Sequence, residues 1–381
     1  MHMSKDGMTA FGQFFSESRK EIGREIAQRN RKLKKDSNPF LKTAKEDLAE
    51  LNEGGKLLRG TLVRLGYRTA LHMNGKDVSD LRYSNALSAA FEMFQTGVLI
   101  HDDIIDNAAT RRGRYTIQRR YEQRMAVRGT KMLSQADDIK DVARSAAICI
   151  GDYGIYEANR ILAKAYDEDP SAAKLIAYFD EVVLNTIRGE LLDVVLPYEL
   201  QEVSYDMKEG QRLLEESIRD IYHLKTACYS LIGPLHLGMM LGGADESSMR
   251  AMDRFADDVG IAYQIMDDLL GIYADSEVLG KDVGSDIAEF KQTILYMYVR
   301  TQKPEYAEEL LRYYGRKHID GETLSEVRRI FRESGAYDYA QDAMRSCFIR
   351  AEKRIGRMSF LNADDKFIFR DFLLWCQGRK Y

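Results

Sequence analysis

The sequence predicts an all-α protein, and three observations lead there. Only five prolines interrupt 381 residues, while Ala, Leu, Met, Glu and Lys, which cost little in a helix, recur throughout. From Leu48 onward apolar residues return at helical spacing almost everywhere. Few segments offer strands to pair, no fixed-period repeat appears, and no linker divides the chain. A chain of this length fits one domain or two. Without a linker, 1–381 reads as a single domain.

The elements follow in order. Residues 1–35 are charged with a weak apolar stripe, and a peripheral helix or flexible tail is expected there. Asp36-Ser37-Asn38-Pro39 is a turn or helix-start signal. Residues 84–105 read as one long helix, closed by a loop at 107–114 that combines Asn, Gly and cations. A helix over 171–195 is expected to break near Pro197. Helices at 213–227 and 231–240 flank Gly233-Pro234, a candidate kink. Residues 253–273 form another long helix, 279–286 a Gly-rich loop, and the remainder is helical.

Composition narrows the function. A formal charge of −4 gives no reason to expect nucleic-acid binding. Arginines cluster locally instead, at Arg111-Arg112-Gly113-Arg114 and Arg119-Arg120, which suggests a local anionic ligand. Four scattered cysteines (Cys149, Cys228, Cys347, Cys376) have no metal-ligand spacing and fit a reducing compartment. The polar first 45 residues do not read as a signal peptide. The most apolar stretch, 228–243, is too short and too interrupted for a membrane span, so a cytoplasmic protein is expected.

Two aspartate pairs sit inside apolar helical stretches, Asp102-Asp103-Ile104-Ile105-Asp106 and Gln264-Ile265-Met266-Asp267-Asp268. Buried acids are costly unless cations compensate them. Asp102 and Asp106, four apart, share a helix face, and Asp103 lies about 100° around it. Hard cations such as Mg2+ favour such carboxylates and share their waters with substrate phosphates. Read alone, Asp267-Asp268 is the weaker signal, because the position four beyond Asp267 is Gly271. Candidate phosphate-binding cations are Lys56 and Arg59 after Gly54-Gly55, then Arg111-Arg112, Lys225 beside Thr226, Lys281 and Lys291.

This constellation resembles the isoprenyl diphosphate synthases (polyprenyl synthetases) over roughly residues 54–291. The elements that carry the likeness are Gly54-Gly55-Lys56-Leu57-Leu58-Arg59, His101-Asp102-Asp103-Ile104-Ile105-Asp106 with Thr110-Arg111-Arg112-Gly113, and Lys225-Thr226. They continue with Tyr263-Gln264-Ile265-Met266-Asp267-Asp268, Gly280-Lys281, Gly284-Ser285-Asp286 and Lys291. Gly271 departs from the pattern, since many members carry a further acid there.

The resemblance implies the isoprenoid synthase fold, a helical bundle around a central cavity, and head-to-tail condensation of isopentenyl diphosphate with an allylic diphosphate. It implies about three Mg2+ ions, with Mn2+ as a substitute, held by Asp102, Asp106 and Asp267 with support from Asp103 and Asp268. Arg111, Lys225, Thr226, Gln264, Lys281 and Lys291 would face the allylic diphosphate, and Lys56, Arg59, Gln95 and Arg112 isopentenyl diphosphate. Negative charge developing on the departing diphosphate would meet preorganised cations, and that diphosphate would accept the proton lost after coupling. A homodimer is likewise implied.

Product length extends the same resemblance. Short-product members often block the position five before the first aspartate with an aromatic; here it is Gly97, beside Val98, and the first turn is expected to be open. Phe94, a helical turn deeper by about 5 Å, would then floor the channel and favour a C20 product, geranylgeranyl diphosphate, over C15, with C25 or longer as the alternative if Phe94 is turned aside or other helices set the floor. The competing readings are a terpene cyclase on the same fold, which has no use for a second diphosphate site, and a non-catalytic subunit of a heteromeric synthase.

Overall fold

Helices account for nearly all of the regular structure in the computed structural model, which describes residues 9–128, 136–200, 208–274, 283–316 and 319–378. In chain order they are α1 (Ala10–Leu33), α2 (Pro39–Glu53), α3 (Leu58–Met73), α4 (Asn85–Ile105), α5 (Ile117–Arg128), α6 (Ala136–Ala165) and α7 (Ala172–Glu199). There follow α8 (Lys208–Ile221), a π-helical segment (Tyr222–Ile232), α9 (Gly233–Leu241) and α10 (Glu246–Tyr273). The rest are α11 (Ser285–Ala288), α12 (Ile294–Gln302), α13 (Pro304–Leu311), α14 (Gly321–Glu333), α15 (Ala336–Arg357) and α16 (Ala363–Gln377). Among the described residues the only strands are Thr110–Arg111 and Arg114–Tyr115, an antiparallel hairpin after α4. The all-α expectation therefore holds.

Local chemistry explains the boundaries. Asn38 caps α2, accepting from the amides of Phe40 and Leu41, and Pro39 takes the first helical position, where no amide is needed. Asp245 caps α10 and starts it several residues before the expected 253. Pro197 does not break α7; it lies in the last turn, and the helix runs on to Glu199. Around Gly233-Pro234 the expected kink is a change of register. Lys208 to Leu241 is helical throughout, and the Gly233 amide donates to the Cys228 carbonyl five residues back. Such π segments concentrate at functional positions, and this one carries Lys225 and Thr226.

Packing then orders the bundle. α4 runs along α6, α3 along α9, α7 against the π segment, and α10 between the π segment and α15. Buried Asp258 ties α10 to α15 by accepting from Arg350 (2.8 Å) and Arg354 (2.6 Å). α1 occupies most of the segment read as a peripheral helix or flexible tail, and it is docked. α1 buries Phe11, Ile22 and Ile26, and Phe11 packs 4.9 Å from the Phe372 ring while its amide donates to Asp371 at 2.7 Å. Ile22 and Ile26 cluster with Leu57 and Ala89, so the stripe has partners both near it in the chain and at its far end.

Candidate active site

α4 ends at Ile105 because the Ala108 amide returns to the Asp103 carbonyl (2.9 Å) and Asn107 turns left-handed. The hairpin that follows reverses over Arg112 and Gly113, both at positive φ (54° and 74°). This fold-back returns Arg111 to the aspartates: it donates to Asp102 at 2.7 Å and, closer still, to Asp103. Burial pushes the Asp103 carboxyl up to about 6 against the pull of Arg111, and Asp102 and Asp106 add to the upward push. One buried oxygen of Asp103 has no hydrogen-bond partner among the described residues.

α10 forms the facing wall with Gln264, Asp267 and Asp268. Asp268 accepts from the Tyr222 hydroxyl and from Gln264 (2.9 Å), and the Thr226 hydroxyl donates to Gln264 in turn. Burial, reinforced by repulsion from Asp286, pushes Asp268 up to about 8.

Two lysines reach the α4 aspartates from other elements. Lys225 lies 2.6 Å from Asp193, 3.0 Å from Glu190 and 4.0 Å from Asp102. Burial alone would depress it, yet Asp193, Glu190 and Asp102 hold it above the ordinary lysine range. Lys291 sits 2.7 Å from Glu289, 3.5 Å from Asp106 and 3.8 Å from Asp286. Its own burial is likewise outweighed, by Asp286, Asp106 and Glu289.

Beside these walls lies a second cationic group. The Arg59 guanidinium stacks 3.9 Å over the Tyr229 ring and donates to Ser230 at 2.7 Å. The Gly54-Gly55 turn faces Arg112 and buried Glu92, which accepts from the Gly60 amide at 2.8 Å. Desolvation raises the Glu92 carboxyl while Arg59 and Arg112 pull it down. Lys56 is exposed on the same turn, and Gln95 is half-buried on α4.

The walls enclose a cavity of about 210 Å³, lined by Asp102, Asp106, Asp193, Asp267, Asp268 and Asp286 with Lys225 and Lys291. Six aspartates against two lysines leave an excess of hard oxygen donors. This donor set fits divalent cations such as Mg2+. Among the described residues no three acidic, His or Cys side chains converge on one metal position; the acids are held by arginine and lysine.

The polyprenyl synthetase sequence profile matches residues 41–331. The chain belongs to the polyprenyl synthetase family. It is 32% identical over 264 residues to geranylgeranyl diphosphate synthase of Mycobacterium tuberculosis, covering 68% of this chain and 63% of that one. To mitochondrial farnesyl pyrophosphate synthase 1 of Arabidopsis thaliana it is 28% identical over 286 residues, covering 74% and 66%. The chain thus spans just under two thirds of the length of these two curated relatives. A crystal structure of geranylgeranyl pyrophosphate synthase from Corynebacterium glutamicum, complexed with isoprenyl diphosphate and magnesium, matches with a TM-score of 0.82. It covers 97% of this chain and 99% of that one at 24% identity, and establishes the isoprenoid synthase fold.

In this family member Asp102, Asp106, Lys225, Gln264, Asp267, Asp268 and Lys291 line one cavity, Arg111 joins Asp102 to Asp103 beside it, and Thr226 donates to Gln264. Lys281 lies outside the described residues. Three acids escaped the sequence reading. Glu190 and Asp193 are three apart on α7, the same helical signal that exposed Asp102 and Asp106, and Glu92 lies one turn before Gln95.

The expectation for Gly97 is corrected. It does not face open space: a β-carbon there would stand 2.7 Å from the Gly151 carbonyl oxygen of α6. The glycine permits close contact of α4 with α6. Phe94 is fully buried, edge-on to Phe179 (5.5 Å) and Tyr229 (5.8 Å), and Val98 is half-buried.

Proposed function

We propose that this chain is a trans-prenyltransferase that condenses isopentenyl diphosphate head to tail with an allylic diphosphate. One observation carries the reading: an acid-walled cavity that fits cations and a diphosphate stands beside a separate cationic group at Gly54–Arg59 and Arg112. Two charged substrates need two such places, and a cyclase needs one.

Mg2+, with Mn2+ as a substitute and about three ions per site, supplies electrophilic charge at the departing diphosphate. Asp102, Asp106 and Asp267 hold it, supported by Asp103 and Asp268. Arg111, Lys225, Lys281 and Lys291 neutralise the allylic diphosphate, with Lys225 kept charged by Glu190 and Asp193. Thr226 and Gln264, already joined to Asp268 in one hydrogen-bonded chain, face the developing positive charge with oxygen dipoles. Lys56, Arg59, Gln95 and Arg112 hold isopentenyl diphosphate.

The proposed product is geranylgeranyl diphosphate, with the aromatic group of Phe94, Phe179 and Tyr229 as the floor. The curated relatives named above carry both C15 and C20 designations, so the floor decides the assignment. The whole chain acts as one unit and as a homodimer. An exposed stripe on α7, Leu184, Ile187, Leu191, Val194 and Tyr198, recurs at alternating spacings of three and four, the pattern of a helix–helix seam. Tyr153 and Tyr156 on neighbouring α6 are exposed as well. Among the described residues no helix is long and apolar enough to cross a membrane. The proposed setting is a reducing, cytoplasmic one, in keeping with four cysteines scattered along the sequence.

The test is incubation with labelled isopentenyl diphosphate, Mg2+ and separate C5, C10 and C15 allylic primers, followed by chromatography of the dephosphorylated products. A dominant C20 alcohol supports the reading. C15 or C25 retains the class and removes the floor assignment, and no elongation with any primer overturns it.

A further inference from the structure

The π segment changes which residues share a face. Five positions separate His223 from Cys228, and in an α-helix they would stand about 140° apart around the axis. In the π register, where bonds run five residues back, they fall on one turn, and Sγ of Cys228 lies 3.4 Å from Nε2 of His223. The other ring nitrogen, Nδ1, bonds Asp257 of α10 at 2.6 Å. Neither His223 nor Cys228 lines the acid-walled cavity. One turn back on α10, Asp253 holds His236 at 2.9 Å, and that ring ends in a stack on Tyr178 at 4.0 Å.

Sulfur, imidazole and carboxylate in line form a relay of the kind that activates a nucleophile, the third group orienting the second. Asp257, then the thiol, push the His223 imidazole up to about 10, so at neutral pH it carries both ring hydrogens and gives one to each neighbour. A positive donor on sulfur favours the thiolate, the reactive form. Among the described residues no three such side chains converge on a metal position. Cys347 is the contrast, since burial pushes its thiol up against the pull of Arg350.

We propose that Cys228 is a modification site, a nucleophilic thiol that takes small hydroperoxides. The sulfur attacks one peroxide oxygen; an S–O bond forms as the O–O bond breaks, and sulfur loses two electrons to the peroxide. The departing hydroxide takes the Nε2 proton of His223 and leaves as water, and Cys228 becomes a sulfenic acid. Cys228 is only 7% exposed, beside a half-buried imidazole, which restricts the site to reactants of about peroxide size.

The experiment treats the full chain with hydrogen peroxide, traps sulfenic acid with dimedone and follows all four cysteines by peptide mass spectrometry, with thermal melting as the check on folding. Cys228 is expected to be labelled about tenfold faster than buried Cys347. His223→Gln is expected to slow Cys228 by about tenfold and to leave exposed Cys149 at its wild-type rate. An ultraviolet thiolate band is expected in the difference between wild type and Cys228→Ser at neutral pH, and it should vanish when both proteins also carry His223→Gln. Labelling of Cys228 no faster than of Cys347 in the wild type, a comparison that needs no variant, overturns the assignment. So does a folded His223→Gln protein whose Cys228 reacts as before, or a difference spectrum without the band. None of these outcomes bears on the prenyltransferase reading.

Discussion

Gly97 of α4 and Gly151 of α6 meet backbone to backbone. A β-carbon on Gly97 would stand 2.7 Å from the Gly151 carbonyl oxygen and 2.9 Å from the Ile155 amide, and neither is the movable end of a side chain. Gly97→Ala must therefore push α4 and α6 apart at their closest approach. We expect it to destabilise the protein by about 1–3 kcal/mol, the usual cost of overpacking, measured as a lower midpoint in urea. An unchanged midpoint would show that α4 and α6 have room between them.

Phe94 makes the opposite case. Its ring is fully buried against Phe179 and Tyr229, and truncation leaves a cavity at the proposed floor of the hydrocarbon channel. We expect Phe94→Ala to cost about 3–5 kcal/mol of stability. In protein that remains folded, chromatography should show products longer by one or more isoprene units. The same product distribution as the wild type would remove Phe94 as the floor.

The exposed stripe on α7 predicts an assembly-defective variant. Leu191 is 60% and Ile187 50% exposed, on a face with apolar neighbours one turn away in both directions. Replacing both, Ile187→Glu with Leu191→Glu, places charge in the proposed seam and leaves the core untouched. Light scattering is expected to find a dimer for the wild type and a monomer for the variant, with little change in helical circular dichroism. A wild-type monomer would refute the seam.

His223 gives a pH dependence away from the cavity. Asp257 accepts from its ring at 2.6 Å, and Cys228 lies 3.4 Å from the other nitrogen; the Asp257 bond, then the thiol, push the imidazole up to about 10. A histidine charged in the folded chain and neutral in the unfolded one favours folding. That contribution is full below an unfolded value near 6.5 and is lost as pH rises through about 10. Half-exposure of the ring and screening by water keep it modest. The melting temperature of the wild type should fall more steeply across that window than that of His223→Gln. Parallel curves for the two proteins would contradict the assignment.

Much of the site was legible because its signals are local. Asp102 and Asp106 share a face by helical period alone, and Asn38-Pro39 starts a helix by capping chemistry contained in neighbouring residues. Glu190 and Asp193 carried the same signal and were missed because no phosphate-binding motif flanks them. Glu92 was hidden differently, since a lone acid in an apolar helix shows its purpose only beside Arg112 and the Gly60 amide.

By itself the sequence determined the all-α class, the two aspartate pairs and the family to which the chain belongs. These are short-range properties, set by period, capping and residue type, and they need no knowledge of what lies opposite. The tertiary structure decided that Lys225 sits among Glu190, Asp193 and Asp102, and that Gly97 is a packing contact. Each joins residues distant in the chain, and such contacts exist only once helices have packed and their backbones have found the few places where they can touch.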